Sequence, residues 1–119
     1  MTSSEMDRLA AVRDLLELSR PLGKIMAQLA VFDWDYEGDG VKLTKTHLSM
    51  ALQRYLRGEF SGFEIESWAN QIEGREDIQF EADSVREIGD VLYELANPTL
   101  TQPLDHARAK TLLDEWLVP

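Results

Sequence analysis

The stretch SGFEIESWANQIEG, Ser61 to Gly74, carries the marks of a helix from its first residue to its last. Ser61 and Glu64 stand three apart, the spacing of a capping box, in which each side chain satisfies a free backbone N–H at the helix start. Ile65, Trp68, Ala69 and Ile72 then recur at i, i+3, i+4 and i+7, one apolar face of a 3.6-residue repeat. Gly74 stops the run as a C-terminal glycine does.

The same grammar repeats outward in both directions. Upstream, Thr44 is placed to cap a helix bearing Leu48, Ala51, Leu52, Tyr55 and Leu56, which Gly58 ends. Downstream, Val85, Ile88, Leu92 and Leu95 define a strong helix, broken at Asn97-Pro98 because the residue before proline avoids helical geometry. TLTQP reads as a turn. Asp105 then caps a last helix with Ala109, Leu112, Leu113 and Trp116 on its buried side. At the N-terminus Met6, Leu9, Val12, Leu15 and Leu16 recur at helical spacing. Ser3 or Ser4 serves as cap, and Pro21 and Gly23 close the helix. KIMAQLAVFDWD reads as helix through Ile25, Met26, Leu29 and Phe32, although Val31 and Phe32 also suit a strand. VKLT and REDIQF read as short extended pieces. The expected fold is all-α: a compact bundle of five or six helices with short loops, in one domain over residues 1–119. One short strand pair fits around residues 31–43.

Composition narrows the function classes. At 119 residues and 44% hydrophobic, the chain can bury a proper core. It has no Cys, so disulfides, thiolate nucleophiles and Cys-ligated zinc are excluded. The N-terminus lacks the basic start and apolar core of a signal peptide. No apolar run approaches the roughly 20 residues of a membrane span. A cytoplasmic protein without a membrane partner is expected. Net charge is −10, and Glu59 to Glu94 alone holds eleven acids against two bases. Phosphate backbones repel such a surface, so no direct nucleic-acid binding is expected. A basic protein would be steered to it. The competing reading is that acidity only keeps the chain soluble.

Two acidic features stand out. FDWDYEGDGVKLT, Phe32 to Thr44, alternates Asp33, Asp35, Glu37 and Asp39 with Trp34 and Tyr36. A calcium hand wants oxygen ligands at loop positions 1, 3 and 5, glycine at 6 and a bidentate Glu at 12. Counted from Asp35, the first half fits through Gly40, but Thr46 stands at 12. Counted from Asp33, Gly38 fits and Thr44 stands at 12. Both registers lose the bidentate carboxylate, so the loop reads as a charged, glycine-assisted turn. Its aromatics are expected in the core ahead of an interface. The second feature is Asp83, Glu87, Asp90 and Glu94, on one helix face at i, i+4, i+7 and i+11. Arg86 relieves part of their repulsion. An ordinary solvated face is the alternative.

Nothing points to catalysis. His47 and His106 stand alone at helix starts. No serine sits in a GxSxG context, no glycine-rich phosphate loop occurs, and carboxylate pairs among 22 acids carry no specificity. EGRED, Glu73 to Asp77, reads as a structural clasp at a helix end, with Arg75 tying carboxylates and last-turn carbonyls together.

LQRYLRGEFSGFEIESWANQIEGREDIQFE, followed by VLYELANPTLTQPLDHARAKTLL, resembles a family of small acidic bacterial proteins. These are the immunity proteins of contact-dependent growth inhibition and related polymorphic toxin systems. The resemblance runs from Val41 to the C-terminus. It rests on Arg54, Tyr55, Leu56, Gly58, Trp68, Ala69, Asn70, Glu73, Arg75, Glu76, Asp77, Ile78, Leu95, Ala96, Asn97 and Pro98. It implies a cytoplasmic protein that binds and neutralises one cognate toxin domain, and the residues themselves read as not an enzyme. Such toxins are often nucleases with basic substrate sites. The expected partner-binding residues are Asp33, Asp35, Glu37 and Asp39 on the loop, or Asp83, Glu87, Asp90 and Glu94 on the helix. No metal and no cofactor is expected. The alternatives are a small calcium-responsive regulatory protein using the Asp35–Gly40 loop, and a non-catalytic helical subunit of a larger assembly.

Overall fold

A computed structural model describes residues 2–117. The first helix, α1 (Ser3–Glu17), is capped by Thr2, whose hydroxyl accepts from the Glu5 N–H at 3.1 Å, not by Ser3 or Ser4. Its buried face is Leu9, Ala11, Val12, Leu15 and Leu16. Met6, one turn ahead of Leu9, stays exposed. Leu18 ends α1 in the left-handed region, at φ 49°, and its side chain is buried. Pro21 and Gly23 therefore do not close α1. Pro21 opens α2 (Leu22–Leu29), where a missing N–H costs nothing because first-turn donors have no partner inside the helix. Gly23 lies inside α2, and Leu22, Ile25 and Leu29 face the core. Val31 is exposed and Phe32 half-buried.

Three later helices start where their side-chain caps place them. α3 (Lys45–Leu56) follows Thr44, and His47 closes a capping box by accepting the Thr44 N–H at Nδ1 (3.0 Å). α4 (Gly62–Ile72) follows Ser61, with both capping-box bonds made to Glu64 at 3.0 and 3.1 Å. α6 (His106–Thr111) follows Asp105. Between α4 and α6 a 3₁₀ turn (Ala82–Ser84) leads into α5 (Val85–Ala96). There Ile88, Val91, Leu92, Leu95 and Ala96 are buried, while Val85, at the first position, is exposed. After α6 the chain makes one π-helical turn (Leu112–Trp116), and the Leu117 N–H reaches the Leu112 carbonyl at 3.0 Å. The wider turn shifts the register by one residue. Leu117 takes the buried position expected of Trp116, which is exposed.

The architecture is thus the expected mainly helical bundle, with six α-helices among the described residues. The strand pair differs from expectation. β1 (Val41–Leu43) pairs with β2 (Ile78–Phe80), not with residues near 31, and the pairing is parallel in the register Val41↔Ile78, Lys42↔Gln79, Leu43↔Phe80. Parallel strands need a long crossover, here supplied by α3 and α4. Reading along the chain could not find a partner so distant in sequence.

Trp68 is fully buried at the centre of the core. Its indole N–H donates to the Leu15 carbonyl at 2.7 Å, joining α4 to the last turn of α1. A buried indole needs such a partner, and that carbonyl lies at the helix end, where it also accepts the Leu18 N–H at 3.3 Å. Replacing Trp68 by Ala should cost about 3–5 kcal/mol. Trp68→Phe should cost less, and urea unfolding at neutral pH measures both.

Candidate functional site

The acidic loop after α2 is held by a buried ionic clasp. Asp77 has no exposed surface, and Arg75 donates to both its carboxylate oxygens, Nε to Oδ1 at 2.9 Å and Nη2 to Oδ2 at 3.0 Å. Arg8, from α1, donates Nε to Oδ2 at 2.9 Å. The Arg8 Nη2 continues to the loop itself, reaching the carbonyls of Asp33 and Asp35. Burial alone would raise the Asp77 pKa. The hydrogen bonds from Arg75 and Arg8 outweigh it and hold the group below the usual carboxylate range.

The loop backbone is tied again on its other side. The Glu76 N–H donates to the Trp34 carbonyl at 3.0 Å, and the Glu76 carboxylate accepts the Tyr36 N–H at 3.1 Å. At the loop's exit the Val41 N–H donates to the Asp77 carbonyl at 2.8 Å, leading directly into the β1–β2 ladder. Gly40 makes this approach possible. Its φ is +68°, and a Cβ there would lie 2.3 Å from the Asp77 carbonyl oxygen.

Trp34 and Tyr36 do not enter the apolar core as expected. The Trp34 ring lies over the Arg75 guanidinium at 5.0 Å and remains 42% exposed. The Tyr36 ring lies over Arg8 at 4.8 Å and is half-buried. Both aromatics pack on the planar cations of the clasp, a favourable arrangement in a partly desolvated place.

The eight carboxylates picked out in the sequence divide sharply. Asp33, Asp35, Glu37 and Asp39 are all exposed, on a backbone fixed at both ends. Asp83 is exposed in the 3₁₀ turn, Glu87 is half-buried and Asp90 is exposed. Glu94 is part of the scaffold. Arg108 donates Nε to its Oε2 at 2.8 Å and Nη2 to its Oε1 at 2.6 Å, locking α5 to α6. That bidentate bond also raises the Arg108 pKa. The helix stripe therefore offers Asp83, Glu87 and Asp90 without Glu94.

The histidines serve structure. His47, whose pKa burial lowers, accepts at Nδ1 in the α3 capping box, and the His106 ring meets Tyr55 edge-on at 5.3 Å. Among the described residues no group of three or more His, Asp or Glu side chains is placed to hold a metal ion. No helix among them is long and apolar enough to cross a membrane. The EGRED clasp expected from the sequence is real in its carboxylate half, through Arg75 and Asp77. Arg8 went unrecognised. Its signal was its spacing: Arg8, Val12 and Leu15 fall at i, i+4 and i+7, which puts a cation on the buried face of α1.

No family model matches the chain, and no curated protein and no solved structure matches it either.

Removing the Asp77 charge leaves Arg75 buried and unpaired, so Asp77→Asn should cost about 3–5 kcal/mol. The native pH dependence has a fixed sign. Because the folded pKa is depressed, the contribution of Asp77 is complete above the unfolded value of about 3.9 and disappears as pH falls through the folded one. Stability should therefore fall below about pH 4, and less steeply in Asp77→Asn, as denaturant titrations at stepped pH would show. Gly40→Ala should lose at least about 2 kcal/mol, whereas Gly74→Ala, with positive φ but open space around it, should lose about 1.

Proposed function

We propose that the protein is a non-catalytic binding protein of the cytoplasm: an immunity protein that neutralises a cognate basic toxin domain through an acidic surface. The observation that carries this reading is the loop from Asp33 to Asp39. Four exposed carboxylates stand on a backbone pinned by Arg8, Asp77 and Glu76. A surface already ordered loses little conformational entropy on binding. Negative charge of this density speeds encounter with a basic partner. The resemblance to immunity proteins supports the same class of partner, and a nuclease, whose substrate site is basic, fits the charge.

The test is co-expression with the C-terminal domain encoded immediately upstream, followed by affinity purification and calorimetry. A one-to-one complex in the nanomolar range that weakens with salt is the expected result. A failure to co-purify, with the upstream fragment harmless to cells on its own, would overturn the reading. Within such a complex, Asp33→Asn with Asp35→Asn should slow association about tenfold at low salt, and Asp83→Asn with Glu87→Gln should act less. Unchanged association in both pairs would rule out electrostatic steering.

A further inference from the structure

The exposed face of Trp34 borders an open groove of about 380 Å³ between the end of α2 and the end of α4, lined by Met26, Leu29, Ala30, Gln71 and Arg75. Its lining is apolar apart from Gln71 and Arg75, and Arg75 is turned to the Asp77 carboxylate, which it shares with Arg8. Asp33 and Asp35 flank Trp34 in the chain and both are exposed, so the groove's tryptophan stands between two solvated carboxylates in sequence.

We infer that this groove is the anchor point of the partner interface, and that it takes the long side chain of a Lys or Arg projecting from a basic protein surface. The inference rests on the binding role proposed above and names where that role is performed. Charge complementarity selects the occupant. An aliphatic stem suits Trp34, Met26 and Ala30, and the cationic head is drawn to Asp33 and Asp35, the exposed carboxylates on either side of Trp34 in the chain. The head does not stack on Trp34, because the indole already lies over the Arg75 guanidinium and a second cation on that ring would be repelled. A partly exposed tryptophan packed on a fixed guanidinium, beside apolar surface, is the residue type on which binding energy concentrates.

Calorimetry with the upstream-encoded domain tests this. Trp34→Ala should weaken binding about 30-fold or more with little change in its salt dependence. Ala30→Phe, which fills the groove from an exposed position and leaves the clasp intact, should do the same. Phe63→Ala, an exposed aromatic at the opposite end of α4, should have no effect. In parallel, the peptide acetyl-Gly-Lys-Arg-Lys-Gly-amide is titrated into the ¹⁵N-labelled protein. Shifts should concentrate at Ala30, the Trp34 indole and Gln71. Tight binding of the domain that ignores both groove variants overturns the inference and leaves the binding role standing. Absence of domain binding, with peptide shifts still centred on the groove, overturns the binding role and keeps the groove as a cation-accepting site. Scattered or absent shifts together with no domain binding overturn both.

Discussion

The structure depends on one buried carboxylate. Asp77 has no exposed surface, and a lone charge in that position would cost several kcal/mol in lost hydration. It is tolerable because two guanidinium groups reach it from different parts of the chain, Arg75 from the end of α4 and Arg8 from α1. The same residue's carbonyl accepts from Val41, which starts the strand ladder. Side chain and backbone of one residue thus join α1, α4, the acidic loop and the β1–β2 pair. A change at Asp77 cannot stay local, since the Arg75 side chain is itself buried and that of Arg8 nearly so.

The residues that prompt the proposal of an immunity protein nearly all do scaffold work. Trp68 ties α4 to α1, Arg75 and Asp77 form the clasp, and Asn97 donates to Glu73 at 3.4 Å, linking the ends of α5 and α4. Arg54 donates to the Leu18 carbonyl at 2.9 Å, where α1 ends in a left-handed residue, and it also pairs with Glu59. A pattern made of such residues speaks first to how the chain folds. It says little about what the fold binds, because the exposed charges of the 33–39 loop lie outside it.

How much was legible in the sequence follows the range of each interaction. The caps at Thr44, Ser61 and Asp105 lie within three residues of their partners, and the helices they start were readable. Helical spacing also found the core faces of α3, α4 and α5. It failed where geometry departs from the ideal repeat: at Trp116, displaced by a π turn, and at Val85, on the first residue after a 3₁₀ turn. The parallel strand pair, the Arg8 contact and the backbone approach at Gly40 join residues dozens of positions apart; spacing marks Arg8 as a cation on a buried face, but no local pattern encodes the partners. The loop carboxylates were identified as residues, but their presentation was not, since it depends on those same distant ties.

That presentation has a physical consequence. Four like charges within seven residues repel, by about 1 kcal/mol for each pair 4 Å apart in water and less as separation grows. A free loop would relax this by spreading its carboxylates. This loop cannot, because Arg8 holds the carbonyls of Asp33 and Asp35 while Glu76 holds the backbone of Trp34 and Tyr36. The cations that bind the loop grip its backbone and aromatic rings, leaving the carboxylates to solvent. Asp77 matches one of these two positive charges inside the fold, and neither guanidinium touches the loop through its carboxylates. An arriving cation would relieve a repulsion that the fold itself maintains.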